Sequence, residues 1–149
     1  MKISGQSALV TGGGSGLGEA VARELARQGA RVLVIDVNAA GAQRVAAEID
    51  GLAAACDICD SAAVTAALDA ATARHGTPRI VMNIAGIGTA RRIVGKDGAP
   101  APLEDFERVV RVNLIGSYNV ARLAAARIVA LEPLADGERG VIVHTASVA

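Results

Sequence analysis

Short apolar runs alternate along the chain with stretches in which apolar residues recur at helical spacing. The apolar runs are rich in Val, Ile and Leu and cover residues 7–11, 31–36, 51–58, 79–86 and 140–147. Continuous runs of this kind are typical of strands that are buried on both faces of a parallel sheet. The pattern therefore predicts five strands.

Helical stretches lie between these strands. Residues 18–29 carry Val21, Leu25 and Gln28 at helical spacing and end at Gly29, and residues 60–76 run from an Asp-Ser cap signal to a terminal glycine. Residues 102–133 are long enough for two helices, which we expect to be broken near 113–116. Alternation of strands and helices indicates right-handed crossovers and a sheet covered on both faces. We predict one α/β domain over residues 1–149.

A glycine-rich turn, TGGGSGLG at residues 11–18, separates the first predicted strand from the first helix. Each glycine inside a strand or helix costs about 0.5–1 kcal/mol relative to alanine, so such a cluster needs a reason. Here the backbone can approach a ligand closely, and the helix N-terminus offers unpaired N–H groups and a partial positive charge. The alternative is a plain glycine-rich turn. With a strand before it and a helix after it, the turn favours binding the pyrophosphate of a dinucleotide.

Asp36 closes the second predicted strand. A carboxylate at this position can accept hydrogen bonds from the adenosine ribose hydroxyls and would repel a 2′-phosphate. Val37 and Asn38 follow it and supply no base to hold that phosphate. The pattern thus favours NAD over NADP, the alternative being an Asp that only caps the next helix.

Composition limits the possible partners. Lys+Arg and Asp+Glu number 15 each, and the chain has one Tyr, one Phe and no Trp. The chain has neither the excess of positive charge nor the set of stacking aromatic rings that would indicate binding to nucleic acid. No apolar run has the length of a membrane span or a signal peptide. We therefore expect a soluble, cytoplasmic protein that binds neither nucleic acid nor membrane.

The two cysteines form a C-x-x-C motif, Cys56 to Cys59. Such a pair can serve redox chemistry or bind zinc. A structural zinc site needs four ligands, however, and His75 and His144 are isolated in the sequence. We therefore predict no metal site and interpret the cysteines as two small apolar residues at a strand end.

Five motifs in order resemble those of the short-chain dehydrogenases/reductases. They are TGGGSGLG (11–18), the pair Asp57–Ile58, NIAG (83–86), Asn113 within RVNLIG, and Ser147 within HTASVA. Within that family the segments 95–123 and 144–149 are most similar to the type-2 3-hydroxyacyl-CoA dehydrogenases. The resemblance implies a doubly wound Rossmann-type sheet with strand order 3-2-1-4-5.

The resemblance also implies a role for each matched residue. Ser147 would hydrogen-bond the substrate oxygen and stabilise the charge that develops during hydride transfer, and Asn113 would belong to the proton relay. Cofactor binding would fall to Gly12, Ser15, Gly16, Leu17 and Gly18 at the pyrophosphate, Asp36 at the ribose, Asp57 and Ile58 at the adenine, and Asn83, Ala85 and Gly86 at the nicotinamide ribose. The implied activity is NAD-dependent oxidation or reduction of a 3-hydroxyacyl-CoA-like secondary alcohol by a homo-oligomer.

The chain departs from the family in one respect. The family's acid/base Tyr-x-x-x-Lys motif would follow Ser147, but the sequence ends two residues later, and Tyr118 has no Lys four residues on. We interpret Tyr118 as structural and expect a C-terminally truncated, cofactor-binding portion of a dehydrogenase. Arg91, Arg92 and Lys96 could meet the phosphates of a CoA ester or simply be solvated. A 3-oxoacyl-[acyl-carrier-protein] reductase and a non-catalytic dinucleotide-binding module remain alternatives.

Overall fold

The computed structural model describes residues 1–146 and contains a five-stranded parallel sheet. Its order is β3-β2-β1-β4-β5, as the resemblance implied. The strands are β1 Ser7–Thr11, β2 Arg31–Asp36, β3 Leu52–Ala55, β4 Ile80–Asn83 and β5 Val141–His144. The last three are shorter than the apolar runs that predicted them, because each run continues into the loop that follows its strand.

Helices connect the strands on both sides of the sheet. They are α1 Gly16–Arg27, α2 Ala39–Glu48, α3 Ser61–His75, α4 Leu103–Val110 and α5 Ser117–Ile128. The bounds of α3 follow the predicted signals, since the Asp60 side chain accepts hydrogen bonds from two first-turn N–H groups and Gly76 has a φ of +84°. The sequence analysis did not identify α2.

The long helical stretch contains two α-helices, as predicted, but the segment between them is helical rather than broken. Residues Arg111–Gly116 form a π-helical turn that joins α4 directly to α5. Asn and Gly lower helix propensity, which is why the sequence suggested a break. Contacts described below tie Asn113 and Gly116 to neighbouring loops, so tertiary structure holds this segment in a wide helical turn. Such π-turns are frequent at functional sites.

The two faces of the sheet carry separate parts of the core. Leu9, Leu33 and Val81 pack on one face against α3 and α5, where Leu68 and Val120 are fully buried. The other face buries Val10, Val32 and Val34 beneath α1 and α2. Alternate residues of β1 and β2 thus point to opposite faces, and both faces are covered as predicted.

The core is thinner after β4. No residue of α4 is buried, and β5 is mostly exposed. The loop between β4 and α4 contains a short antiparallel bridge between Val94 and Pro100. The side chain of Ile93, in the same loop, is 86% exposed. Over residues 1–146, no helix is both long and apolar enough to cross a membrane.

Candidate functional site

A cleft of about 470 Å³ lies at the carboxyl ends of β1, β2 and β4. This is the edge of a parallel α/β sheet at which ligands usually bind. The cleft brings together ten of the predicted cofactor residues: Gly12, Ser15, Gly16, Leu17, Gly18, Asp36, Asp57, Ile58, Ala85 and Gly86. Asn83 is buried beneath it, Asn113 stands on the π-helical turn beside it, and Ser147 lies outside the described residues.

The glycine-rich turn is a close-packed backbone structure. Gly12 has a φ of +66°, and a Cβ there would lie 2.9 Å from the Cα of Ala85. A Cβ on Gly18 would lie 2.1 Å from the carbonyl oxygen of Gly12. Neither position can accept a side chain without moving backbone. Loss of the turn's shape would therefore follow from even a single added methyl group.

The N-terminus of α1 lacks the side-chain cap that its neighbours have. Ser15 occupies the N-cap position, but its side chain makes no capping hydrogen bond. By contrast, Asn38 caps α2 by accepting from the Gly41 N–H, and Asp60 caps α3. The first N–H groups of α1 therefore face the cleft without a side-chain cap, in the arrangement that binds phosphate at helix N-termini.

Asp36 is held in place by two backbone N–H groups. Gly14 N donates to Asp36 Oδ2 and Asn38 N donates to Oδ1, each over 2.9 Å. A carboxylate oxygen has two lone pairs, so both oxygens can still accept a ligand hydroxyl. Asn38, rather than Asp36, is the N-cap of α2, so the simple capping alternative does not describe Asp36.

Arg44 is a charged neighbour of this site that the sequence analysis missed. Its Nη2 donates to the Gly14 carbonyl over 3.2 Å and to Glu19 Oε2 over 2.7 Å. Hydrogen bonds from Arg44 and from Arg23 lower the pKa of Glu19 to about 2. The charge of Arg44 is thereby compensated by α1, and its guanidinium ties α2 to the glycine-rich turn. Arg44 and Gly14 are 30 positions apart in the chain, so no local signal in the sequence indicated this contact.

The turn after β3 forms the wall on which Asp57 and Ile58 lie. Asp57 Oδ1 accepts a hydrogen bond from Cys59 N over 2.8 Å, which leaves Oδ2 without a donor among residues 1–146. Cys56 N donates to the Asp36 carbonyl over 3.0 Å. The two acidic side chains are thus fixed to one connected backbone surface on this side of the cleft.

Thr11 links the glycine-rich turn to the loop after β4. Its Oγ1 accepts hydrogen bonds from Ile84 N and Ala85 N, each over 3.1 Å. The sequence analysis quoted Thr11 without giving it a role, although its place at the end of a buried strand was a usable signal. Asn83, one residue earlier than this loop, is 3% exposed, and its Nδ2 lies 3.4 Å from His144 Nδ1.

Asn113 holds the loop that follows Gly86. Its Oδ1 accepts from Ile87 N over 2.9 Å, and its Nδ2 donates to the Ile87 carbonyl over 2.8 Å. Both ends of the side-chain amide are therefore used by one backbone residue. A second cavity of about 700 Å³ opens on the other side of Asn113, between this loop and α4.

The two cysteine thiols are unreactive. Burial, helped by the Asp60 and Asp57 carboxylates, raises the pKa of the Cys56 thiol to about 11. Burial also raises the pKa of Cys59, whose Sγ donates to the Arg111 carbonyl over 3.2 Å. Both thiols are protonated near neutral pH and are poor nucleophiles. Within residues 1–146, no three His, Cys, Asp or Glu side chains form a group that could hold a metal ion.

The sheet order and the position of the cleft are those of the Rossmann-like α/β proteins, a class that commonly binds dinucleotides at this edge of the sheet. Comparison with known proteins makes this more specific. The sequence pattern of the family described as short chain dehydrogenase matches residues 6–149. The chain belongs to this family.

The chain is similar to dehydrogenases and to a reductase, among other proteins. The chain is 42% identical over 150 residues to a 3-hydroxyacyl-CoA dehydrogenase type-2 of Drosophila melanogaster, covering 99% of this chain and 59% of that relative. A solved 3-hydroxyacyl-CoA dehydrogenase type-2 from Mycobacterium avium superposes with a TM-score of 0.90 at 40% identity, covering 99% of this chain and 59% of the other. A 3-ketoacyl-(acyl-carrier-protein) reductase from Brucella melitensis complexed with NADH gives a TM-score of 0.77 at 40% identity, covering 85% and 51%. The chain thus spans less than two thirds of the length of these relatives.

Proposed function

We propose that this chain is the NAD-binding portion of a dehydrogenase that acts on a 3-hydroxyacyl-CoA-like secondary alcohol. The observation that carries the proposal is Asp36, held by Gly14 N and Asn38 N at the edge of a cleft that also contains the uncapped N-terminus of α1. A fixed carboxylate beside a phosphate-binding helix end fits an adenosine ribose with free hydroxyls. The 3-hydroxyacyl-CoA dehydrogenases to which the chain is similar suggest the substrate class.

The residues present fit the dinucleotide. A side chain at Gly12 or Gly18 would collide with backbone and displace the glycine-rich turn, in which the α1 N–H groups would hold the pyrophosphate. Asp36 would accept from the ribose hydroxyls, and Asp57 Oδ2 with the Ile58 N–H would hold the adenine. Ala85 and Gly86 would line the nicotinamide ribose. When bound, the nicotinamide supplies the hydride acceptor or donor.

Two residues are assigned to the reacting end of the cleft. Ser147 would donate a hydrogen bond to the substrate oxygen and stabilise its developing negative charge. Asn113 would keep Ile87 in place, since both ends of its amide bond that residue. Any part that Asn113 takes in a proton relay would then rest on its main-chain groups in the π-helical turn.

The charge pattern of the second cavity bears on the acyl-CoA assignment. Arg91 Nη1 lies 3.3 Å from Asp105 Oδ2, so this cation is already paired. Arg92 and Lys96 are exposed on the same loop. In the acyl-CoA proposal, CoA phosphates would therefore meet Arg92 and Lys96 rather than the paired Arg91.

We also propose that the protein forms a homo-oligomer. Phe106, Leu114 and Tyr118 lie on α4, the π-helical turn and α5, and each is 65–68% exposed. Burying such side chains against a second copy would remove apolar surface from water. Sedimentation equilibrium tests this: we expect a mass that exceeds the monomer and falls on Phe106→Ser substitution, whereas a monomer at every concentration would contradict it.

Cofactor choice tests the central observation. We expect the chain to bind NADH at least about tenfold more tightly than NADPH, because Asp36 repels the 2′-phosphate and Arg44 is already paired. Asp36→Asn keeps the side-chain shape and removes the charge, so NADPH affinity should rise and the preference should shrink. Titration of NADH and NADPH by fluorescence measures both. Tighter binding of NADPH by the unmodified chain would contradict the proposal.

Ser147 provides a second test, in a form of the protein that shows turnover. Ser147→Ala should lower kcat by roughly 10²–10³ and leave the Kd for NAD nearly unchanged, since one oxyanion-type donor is lost. Ser4→Ala, which removes a hydroxyl far from the cleft, is the matched control. Near-normal turnover in Ser147→Ala would show that the residue has no such role.

The acyl-carrier-protein reductase alternative is supported by the 40% identity to the Brucella melitensis structure. Parallel assays with 3-hydroxybutyryl-CoA and with a 3-oxoacyl-carrier-protein separate the two enzymes by kcat/KM. NADH binding without turnover on either substrate would instead support the non-catalytic module.

A further inference from the structure

We propose that Asn119 is a positioning residue that sets the adenine-binding wall of the cleft. The inference rests on the proposed function, because it concerns how Asp57 and Ile58 are presented to an adenine ring. Asn119 lies on α5 and does not line the cleft. It is 5% exposed and contacts the wall from behind.

The central contact is a hydrogen bond to backbone. Asn119 Nδ2 donates to the Ile58 carbonyl over 2.8 Å, and the bond is buried. Ile58 belongs to no helix or strand, and its own N–H donates to no residue among 1–146. A peptide plane fixed at its carbonyl end directs the N–H of the next residue, so this bond orients the turn that carries Asp57 and Ile58.

The amide of Asn119 is itself held in one orientation. Its Oδ1 accepts from Ser61 Oγ over 2.8 Å and from Arg122 Nη2 over 2.7 Å. Arg122 Nη2 also donates to Ser61 Oγ over 2.8 Å, which closes a ring of three side chains. With its oxygen occupied by donors from Ser61 and Arg122, Asn119 can present only its N–H₂ group to Ile58.

Packing around the bond leaves the turn little freedom. A Cβ on Gly116 would lie 2.7 Å from Ile58 Cγ1 and 3.1 Å from Cys59 Sγ, so the helix backbone lies directly against the turn. Cys59 Sγ donates to the Arg111 carbonyl at the start of the π-helical turn. The same helical stretch holds Ile87 through Asn113, so it fixes both walls of the cleft.

Asn119→Asp removes the donor to Ile58 and keeps an acceptor for Ser61 and Arg122. The experiment compares the Kd of the unmodified chain for NADH with that for the reduced hypoxanthine dinucleotide, which lacks the adenine amino group. We expect the chain to favour NADH, and Asn119→Asp to weaken NADH binding by about tenfold while changing hypoxanthine-dinucleotide binding less than about twofold. The ratio of the Kd for the hypoxanthine dinucleotide to the Kd for NADH measures recognition of the adenine ring. This ratio is insensitive to the overall stability of the chain.

Val120→Ala is the matched control. It removes buried methyl groups from the neighbouring residue of α5, so it should lower stability and leave the ratio unchanged. If Asn119→Asp does not fold, Arg122→Met serves instead, because Arg122 is exposed and holds the Asn119 oxygen. Its ratio should move the same way, by about threefold.

The outcomes separate this inference from the proposed function. An unmodified chain that fails to bind NADH, or that does not distinguish the two dinucleotides, overturns the proposed adenine site and this inference with it. An unmodified chain that distinguishes them, with an unchanged ratio in Asn119→Asp or Arg122→Met, overturns the role of Asn119 alone. If Val120→Ala lowers the ratio of the two Kd values as much as Asn119→Asp does, the role of Asn119 is also overturned.

Discussion

Residues 1–86 and residues 87–146 differ in how completely they bury their apolar side chains. In the first part, the large apolar residues that remain exposed are Leu17 and Val37, and both line the cleft. In the second part they are spread over the β4–α4 loop, α4, the π-helical turn, α5 with the residue that follows it, and β5: Ile87, Ile93, Val94, Leu103, Phe106, Leu114, Ile115, Tyr118, Val129, Val141 and Val143. Exposure in the first part marks a ligand site, whereas exposure in the second, apart from Ile87, which lines the same cleft, marks surface available for further packing.

Paired Leu→Ala substitutions give the largest contrast between the two parts. Leu33→Ala removes a fully buried side chain from β2 and should lower the free energy of unfolding by about 2–5 kcal/mol. Leu103→Ala removes a side chain that is 64% exposed and should cost less than about 0.5 kcal/mol. Urea unfolding followed by circular dichroism measures both. Equal losses would mean that Leu103 is buried in solution.

Paired Gly→Ala substitutions sharpen the comparison at the level of binding. Gly18→Ala forces a methyl group against the Gly12 carbonyl and should weaken NADH binding by about 100-fold. Gly88→Ala is the control, because a Cβ there meets no atom within 4 Å. Fluorescence titration should show unchanged affinity for Gly88→Ala. Normal NADH binding by Gly18→Ala would contradict a tight phosphate-binding turn.

The smallest expected effect concerns pH. His75 is buried in the last turn of α3, and burial, aided by Arg74 and Arg31 against an opposing contribution from Asp50, lowers its pKa below the usual 6.5. His75 therefore binds a proton more readily in the unfolded chain than in the folded one. Its contribution to the free energy of unfolding is complete above pH 6.5 and is lost as the pH falls from 6.5 through the folded pKa.

His75→Leu should flatten the dependence of the unfolding free energy on pH immediately below pH 6.5, because the titrating group is gone. Glu19 and Glu24, whose pKa values are about 2, contribute to acid sensitivity only below their usual 4.5, outside this window. His144→Gln, on exposed β5, is the control. An unaltered slope in His75→Leu would assign the acid sensitivity to other groups.

The elements that sequence predicted best carry local signals. Asp60 and Gly76 bound α3 because a cap acts through hydrogen bonds within a few residues. The runs that became β1 and β2 are buried on both faces, so their apolar character is continuous. The glycine-rich turn and Asp36 were identifiable because they lie next to these strands in the chain.

The features that sequence missed depend on contacts between distant segments. Asn119 and Ile58 are joined only after α5 packs against the turn after β3, and Arg44 reaches Gly14 only after α2 docks. The two helices expected on either side of 113–116 are joined by a π-helical turn for the same reason, since Asn113 and Gly116 contact Ile87 and Ile58. Propensity describes a residue with its neighbours in sequence, and here neighbours in space decide.

The place of β1 at the centre of the sheet has a consequence for the order of folding. Ala8 pairs with Val32 on one side and with Ile80 on the other, so the second partner is synthesised long after the first. At ribosomal rates of about 5–20 residues per second, β4 is synthesised on the order of a few seconds after β1 and β2. We expect the β1–β2–β3 unit to form first, with the buried edge of β1 open to other chains until Ile80 arrives.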